Sequence, residues 1–352
     1  MNQISKPAIQ TRLPIDDMVK LIKQHCVLSD VEVDAIVLWI VASYRINAYR
    51  VFSKLALISP EKRCGKSTTM EVINSLANEG LLVSNISKAA LFRLTEEFQP
   101  TLLIDEADTT LKQGDAELTG LINSSHTKAG AKVIRCAGDT HAAKTFSTWM
   151  PMVLASIGDL PPTIMDRSIV VNLRRKKASE PTTEPDVDIV DQQTHLRDLI
   201  RAWCQAQEAN LKAFTVSLPD VGNHRASDNW KPLFGVAGVM GGNWPSRCER
   251  AFMTLTEPAE PEESTLLLMH IKELFDVRLE TRIASSDLVD SLCSDQTAPW
   301  CTHNSGRPIT QNQVALILRP FGIKPKMIRF GSSPKRGYDS VYFQDAFDRY
   351  LS

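Results

Sequence analysis

Two short runs, and the spacing between them, constrain this chain more than any other feature. Ser59-Pro60-Glu61-Lys62-Arg63-Cys64-Gly65-Lys66-Ser67-Thr68 follows the apolar stretch Lys54 to Ile58, and about forty residues downstream Thr101-Leu102-Leu103-Ile104 runs into Asp105-Glu106-Ala107-Asp108. A strand that ends in Gly-Lys-Ser at the mouth of a helix is built to cradle phosphate. Backbone N–H groups and the helix N-terminus face the anion, the lysine reaches the β and γ oxygens, and the hydroxyl holds Mg²⁺. The expected ATP-binding residues are therefore Pro60, Glu61, Lys62, Arg63, Cys64, Gly65, Lys66, Ser67 and Thr68, with Ser67 also a metal ligand. The loop departs from G-x-x-x-x-G-K-[ST] at Pro60, where the pattern has glycine, so Gly65-Lys66-Ser67 alone is a weak signal. The acidic pair strengthens it. Asp105, ending a buried strand, is placed to support the metal, and Glu106 to polarise an attacking water. The plainer alternative is a strand end with two solvated acids.

At 352 residues the chain has room for two or three domains. Its 43% apolar and 23% charged content is that of an ordinary globular protein, and a net charge of −1 by itself says nothing about nucleic acid. Seven cysteines lie scattered without a C-x-x-C pair or zinc spacing. With no secretory leader ahead of them, a reducing, cytoplasmic setting is expected. Cys64 sits within the loop, as small filler or as an oxidisable thiol. The most apolar stretch, Val31 to Ser43, carries Glu32 and Asp34 and is too short to span a membrane.

Apolar periodicity predicts helices over Ile15 to Cys26 and Asp30 to Tyr44, the second capped at Ser29 or Asp30. It then predicts a strand over Val51 to Ser59, a helix over Ser67 to Glu79, a strand from Leu81 to Val83 and a helix over Lys88 to Glu97. After the strand that Pro100 launches come a helix over Ala116 to His126 and a hairpin, Ala131 to Cys136 and Ala143 to Trp149, turning at Gly138-Asp139-Thr140. Strands over Met152 to Ile157 and Ile169 to Leu173 complete a sheet. Strands alternating with helices imply an α/β fold with a parallel sheet covered on both faces and ligand at the strands' carboxyl ends. Ser179 to Asp191 reads as an exposed connection, Thr194 to Ala213 and Arg225 to Thr256 as helical, and Glu257 to Glu263 as an acidic linker. From Ser264 the order is three helices, then two strands around Gly331 to Gly337, which is the order of a winged helix. The expected division is 1–50 N-terminal helices, 51–177 ATPase core, 178–260 linker and helical lid, and 264–352 winged-helix DNA-binding domain.

The run Ser59 to Ser67, the run Pro100 to Asp108, Leu160-Pro161 with Asp166-Arg167-Ser168-Ile169, and Asp228-Asn229-Trp230-Lys231-Pro232-Leu233 resemble the phage- and plasmid-associated domain of unknown function 3631 (DUF3631). So do Phe321-Gly322-Ile323, Arg336-Gly337-Tyr338 and Phe347 to Leu351, and the resemblance extends from about Trp39 to the C-terminus. That family carries Ser-Pro where this chain has Ser59-Pro60. The resemblance implies a P-loop NTPase core of the AAA+ or helicase-like class, found beside primase and other replication proteins of mobile elements. A homo-oligomer is implied too, a hexameric ring being one form of it.

In such a ring a neighbouring subunit completes the site. The resemblance makes Arg167 the expected arginine finger, against a plain Asp166-Arg167 surface contact. Ser156 is the expected polar sensor, against a core serine, and Arg225 a second sensor on the helical lid, against a solvated helix-start arginine. Lys132, Arg135 and Lys144 on the hairpin are placed to grip nucleic acid in a pore, though charged hairpins are commonly only soluble edges. His126 has no second ligand at metal spacing.

The segment from Arg307 to Arg336 contains Arg319, Lys324, Lys326, Arg329 and Lys335 and no Asp or Glu, a nucleic-acid footprint. The helix over Thr310 to Arg319 offers Thr310, Gln311, Asn312 and Gln313 to base edges; a winged helix used for protein contact is the alternative. The overall expectation is an oligomeric, DNA-associated ATPase motor. Its rival is a slow ATP-gated DNA-binding switch or assembly factor that does not translocate. A small-molecule kinase would need neither finger nor basic tail.

Overall fold

In the computed structural model two α-helices precede the first strand among the described residues. α1 (Ile15–His25) turns Ile15, Met18 and Ile22 inward. α2 (Asp30–Ser43) is apolar nearly all round and buried nearly all round, since a helix with no polar face must sit inside a layer. A capping box starts it: the Ser29 N–H and Oγ both donate to Glu32 at 2.7 Å. The structure describes residues 12–112, 116–137, 142–215, 218–219, 223–256, 263–278, 281–295 and 298–351. Contacts divide the chain into two units, Met1–Pro258 and Ala259–Ser352. Among the described residues no helix is long and apolar enough to cross a membrane.

The first unit continues with β1 (Lys54–Ser59), α3 (Lys66–Leu76), β2 (Gly80–Val83), α4 (Lys88–Glu97), β3 (Thr101–Ile104), α5 (Ala107–Lys112) and α6 (Ala116–Ser124). Then come β4 (Lys132–Ala137), β5 (Ala142–Ser147), β6 (Met152–Ile157), the short α7 (Pro162–Met165) and β7 (Ser168–Asn172). Five of these strands form a parallel sheet in the order β2-β3-β6-β1-β7. Every residue of β1 is buried, as a parallel strand covered on both faces requires. Leu55 and Leu57 join the apolar layer that contains α2 and α3, while Ala56 and Ile58 join the layer of α4 to α7. The mixed α/β class with a parallel sheet is thus as expected. β1 starts three residues later than the strand predicted from Val51, because Val51 is taken up in an isolated bridge to Thr127. β4 and β5 pair as the expected antiparallel hairpin, whose turn at Gly138-Asp139-Thr140 lies outside the described residues.

Beyond β7 lie α8 (Ile189–Gln192), α9 (Thr194–Ala206), α10 (Glu208–Ala213), α11 (His224–Met240) and α12 (Trp244–Leu255). Two stretches read as continuous helix are in fact pairs. The first breaks at Gln207, and the second at Gly241-Gly242, whose φ values of 69° and 61° glycine adopts without a Cβ penalty. The break lets α12 fold back onto α2, where Arg247 Nε meets the buried Asp34 carboxylate at 2.9 Å.

The second unit contains α13 (Glu263–Arg278), β8 (Arg282–Ala284), α14 (Ser285–Ser294), α15 (Gln311–Leu318), β9 (Lys326–Phe330), β10 (Ser333–Asp339) and α16 (Gln344–Tyr350). The three helices and the hairpin are those the sequence predicts. β8 and α16 are additions, and β8 completes an antiparallel sheet in the order β8-β10-β9. Its core gathers Trp300, Tyr338 and Phe343. Gly337 pairs with Ala284, and a Cβ there would stand 2.4 Å from the Ile283 carbonyl oxygen. Gly337→Ala must therefore push two backbones apart, at a cost of about 1–3 kcal/mol. Chemical denaturation should show the second unit losing that stability while the first is unaffected.

Candidate functional site

The strand order creates an opening at the end of β1. From β1 the chain crosses to the sheet edge at β2, returns through β3 and β6 on one side of β1, and only then places β7 on the other. Connections leaving β1's two flanks diverge, and at such a switch point the carboxyl ends of the strands frame a crevice. The segment from Pro60 to Gly65 fills its rim. Gly65 caps α3 at φ 78°, with nothing within 4 Å of a built Cβ, so backbone conformation rather than space favours glycine here. Arg63 is also left-handed, at φ 68°. No side chain caps α3, so its first N–H groups face the crevice unclaimed, an anion-binding arrangement.

Lys66, Ser67, Asp105 and Glu106 converge there. Ser67 Oγ donates to Asp105 Oδ2 at 3.2 Å, and Lys66 Nζ lies 3.8 Å from Asp105 Oδ1. Asp105 is anchored to its neighbour strand through its N–H to the Val83 carbonyl at 2.8 Å, and its Oδ1 accepts the Glu106 N–H at 2.9 Å. Glu106 is exposed and held at φ 55°, a strained conformation for a residue with a Cβ, of the kind that clusters at functional sites. A cleft of about 470 Å³ runs from Glu61 along the loop to Asp105 and Glu106. On the loop's other side a cavity of about 210 Å³ is lined by Cys26, Val27, Thr68 and Leu173. Its wall is closed where Thr183 N–H bonds the Gln24 carbonyl at 3.0 Å and His25 Nδ1–H donates to the Thr183 carbonyl at 2.7 Å. Cys64 is buried under the loop and Cys26 beside it, where burial pushes the Cys26 thiol up to about 11.

Of the other expected residues, Ser156 flanks the crevice at the carboxyl end of β6, its carbonyl accepting from Ser59 Oγ at 3.3 Å, whereas Arg167 and Arg225 lie elsewhere. Ser156 is fully buried and donates its hydroxyl to the Gly158 carbonyl at 2.7 Å. Arg167 precedes β7, at the end of the sheet opposite the loop. Its Nη1 donates to the Thr163 carbonyl at 2.6 Å and lies 4.0 Å from Asp166. Arg225 does not fold over the loop from a lid. It pairs with Asp166 Oδ2 at 2.9 Å, beside Arg167, because α11 starts against the amino ends of β1 and β7.

That opposite end holds a polar network the sequence reading missed. His126 Nε2–H donates to Asn229 Oδ1 at 2.7 Å, Asn229 Nδ2 donates to the Asp166 carbonyl at 3.1 Å, and Ser53 Oγ donates to the Asn229 carbonyl at 3.0 Å. Lys54, the first residue of β1, is buried with no hydrogen-bond partner for its Nζ among the described residues. Burial, with Arg167 nearby, pushes its amine down to about 7. Burial also pushes His126 down to about 4, reinforced by Lys54 and Arg167. A lysine opening an all-apolar strand was the only signal for this in the sequence.

The basic residues divide into two groups. On the hairpin Arg135 stands directly opposite Lys144, and each is relieved by an acid: Arg135 pairs with Glu117, and Lys144 lies 3.2 Å from Glu96. Lys132 makes no ion pair among the described residues. In the second unit Lys324, Lys326, Arg329, Lys335 and Arg336 are all exposed, and among the described residues none makes an ion pair; Lys326 Nζ instead lies 4.1 Å from the Tyr342 ring centre. Thr310 and Gln313 are not free for bases as expected. They close a capping box on α15, and Gln313 also bonds Asn304. Gln311 and Asn312 remain exposed.

Residues 172–350 match the family model described as Protein of unknown function (DUF3631). That is just over half of the chain, and the chain belongs to this family. The match begins at the end of β7, so the loop and the Asp105-Glu106 pair precede it. The resemblance read from Trp39 onward is therefore carried by Asp228 to Leu233, Phe321 to Ile323, Arg336 to Tyr338 and the last helix. A protein of Saccharopolyspora erythraea, described as an uncharacterized 28.9 kDa protein in the xis 5' region, is 30% identical over 162 residues, 45% of this chain and 60% of that one. This chain thus spans less than two thirds of that relative's length. Among solved structures, the A-form apo structure of the NrS-1 C-terminal region is similar with a TM-score of 0.43 at 12% identity, covering 95% of this chain and 78% of that one.

An unpaired buried lysine costs stability that an apolar side chain of similar length does not. Lys54→Met is expected to raise the thermal midpoint. The amine's pKa falls from 10.5 to about 7 on folding, so between those values the unfolded chain holds a proton the folded chain lacks. Stability therefore declines as pH falls across this window, and the gain from Lys54→Met should grow from about pH 10 down to about pH 7, then level off. Thermal unfolding across that range checks it.

Proposed function

We propose that this protein is a Mg²⁺-dependent ATPase that assembles with copies of itself and works on DNA. The observation that carries this is the meeting of the β1–α3 loop with the end of β3, where Ser67 Oγ lies 3.2 Å from Asp105 and Lys66 Nζ 3.8 Å from it. Two elements far apart in sequence supply to one crevice a lysine, a hydroxyl, two carboxylates and an uncapped helix N-terminus, the set that phosphoryl transfer to water needs. Lys66 neutralises the outer phosphates. Ser67 and Asp105 would hold Mg²⁺, which supplies charge neutralisation on the phosphate oxygens when bound. Glu106, exposed and beside Asp105, orients and deprotonates water. The cavity behind the loop offers a partly apolar seat for the nucleoside.

For DNA we assign the second unit as a winged helix, with α15 entering the major groove and β9–β10 as the wing. Its support is the acid-free, unpaired basic run and the exposed Gln311 and Asn312. The hairpin of β4 and β5 is the weaker contact, because Arg135 and Lys144 are already neutralised. The same pairing favours a second reading, an ATP-gated DNA-binding switch that turns over slowly and does not translocate. DNA-stimulated turnover with strand displacement separates the two.

Lys66→Ala is expected to abolish binding of a fluorescent ATP analogue, whereas Glu106→Gln keeps binding and lowers phosphate release by about 10²-fold or more. Equal loss of binding in both variants would defeat the assignment. Neutralising Arg329, Lys335 and Arg336 to Gln is expected to weaken duplex binding on all sequences alike and to flatten its salt dependence by about 0.9 log unit per lost contact. Changing Gln311 or Asn312 should instead alter preference between sequences, by about 1–3 kcal/mol per base contact. Fluorescence anisotropy across salt concentrations reads both effects.

A further inference from the structure

Among the described residues Asp166 is the carboxylate shared by two arginines. Arg225 Nε lies 2.9 Å from its Oδ2 and Arg167 Nη1 4.0 Å from the same oxygen. The charge of Arg167 also reaches the buried Lys54, whose amine has no hydrogen-bond partner among the described residues. This corner of the molecule is therefore under-neutralised. Asp166 and Arg225 are also open to solvent, with side chains 46% and 42% exposed. The backbone beneath is held firmly: Asn229, itself 3% exposed, bonds the Asp166 carbonyl and His126, and the Lys54 N–H bonds the Arg167 carbonyl at 3.0 Å. The exposed guanidinium of Arg225 and the half-buried one of Arg167, resting on a single carboxylate over a rigid base, form a preorganised receptor for a larger anion.

The fold decides which anion. Arg167 and Arg225 stand at the amino ends of β1 and β7, while the loop stands at the carboxyl end of β1. Six residues of strand separate them, about 20 Å, farther than an arginine side chain extends. Neither arginine reaches the phosphates of its own chain. In the crevice, meanwhile, Lys66 is the lysine set against Asp105, and no helical lid brings Arg225 over it.

We propose that Arg225 acts together with Arg167 on the triphosphate bound in a neighbouring copy's loop, and that Asp166 is the resting counter-ion both arginines leave when that triphosphate arrives. Asn229 is a positioning residue for the pair. This rests on the ATPase reading above and moves Arg225 from its own chain's lid to the interface.

The test uses full-length single variants and their mixtures, with phosphate release as the readout at concentrations where the parent is assembled. Arg167→Ala and Arg225→Ala should each bind the fluorescent ATP analogue as the parent does and lose turnover by about 10²-fold or more. Mixed with Lys66→Ala chains, which carry intact arginines and an empty loop, each should regain partial turnover. That recovery also shows that the variant is folded. Arg167→Ala mixed with Arg225→Ala should not recover, because no chain then presents both arginines to a neighbour. If Arg225 serves its own chain, the outcome reverses: Arg225→Ala stays inactive with Lys66→Ala and recovers with Arg167→Ala, and the inference falls. Full turnover by Arg225→Ala alone, accompanied by weakened duplex binding, would make this a nucleic-acid contact and also overturn it. A parent protein that binds no ATP analogue and releases no phosphate overturns the ATPase reading and this inference together.

Discussion

A single strand buried on both faces and both edges organises the first unit. β1 has β6 on one side and β7 on the other, with an apolar layer above and below. Its backbone is satisfied by its neighbours, and its side chains alternate between two cores. Only its ends can carry polar chemistry. The carboxyl end opens into the crevice because the connections on its two flanks diverge, and the loop, the start of α3 and the acids after β3 meet there. The amino end collects Lys54, His126, Asn229, Asp166, Arg167 and Arg225. Strand length fixes the separation of these two polar centres, so one chain cannot join them.

Charge is handled differently in the two units. On the hairpin, like charges placed opposite each other by register are relieved by acids on α4 and α6. In the second unit the run from Arg307 to Arg336 holds its basic residues with no Asp or Glu among them, and the acid that follows on β10, Asp339, pairs with Arg282 instead. Such a surface is stable alone because each charge is hydrated, and it gains by meeting phosphates, where counter-ion release drives association. Lys54 is the contrary case, an amine inside the protein with no carboxylate paired to it among the described residues. Its depressed pKa follows from that burial.

Several features were legible because they depend on neighbours in sequence. The parallel α/β layer, the positions of most strands and helices, and the loop with its acidic pair all follow from apolar period and motif spacing. Gly241-Gly242 and Gln207 were harder to read. Helical periodicity continues across both, and the break at the glycines depends on two left-handed residues that the pattern does not exclude. Gln313 looked like a base reader, but a local capping box with Thr310 and a bond from Asn304 both claim its side chain.

What the sequence determined by itself was chemistry with short reach: which side chains could bind phosphate, hold a metal or attract a polyanion. Spacing along the chain suffices for that, since a strand, a turn and a helix start are built from adjacent residues. Tertiary structure decided which of those side chains share a site. Arg225 and Asp166 lie 59 positions apart by number and touch, whereas Arg167 and Lys66 occupy opposite ends of one sheet. No local pattern encodes that arrangement, because it comes from strand order, and strand order follows from how the whole chain buries its two apolar layers at once.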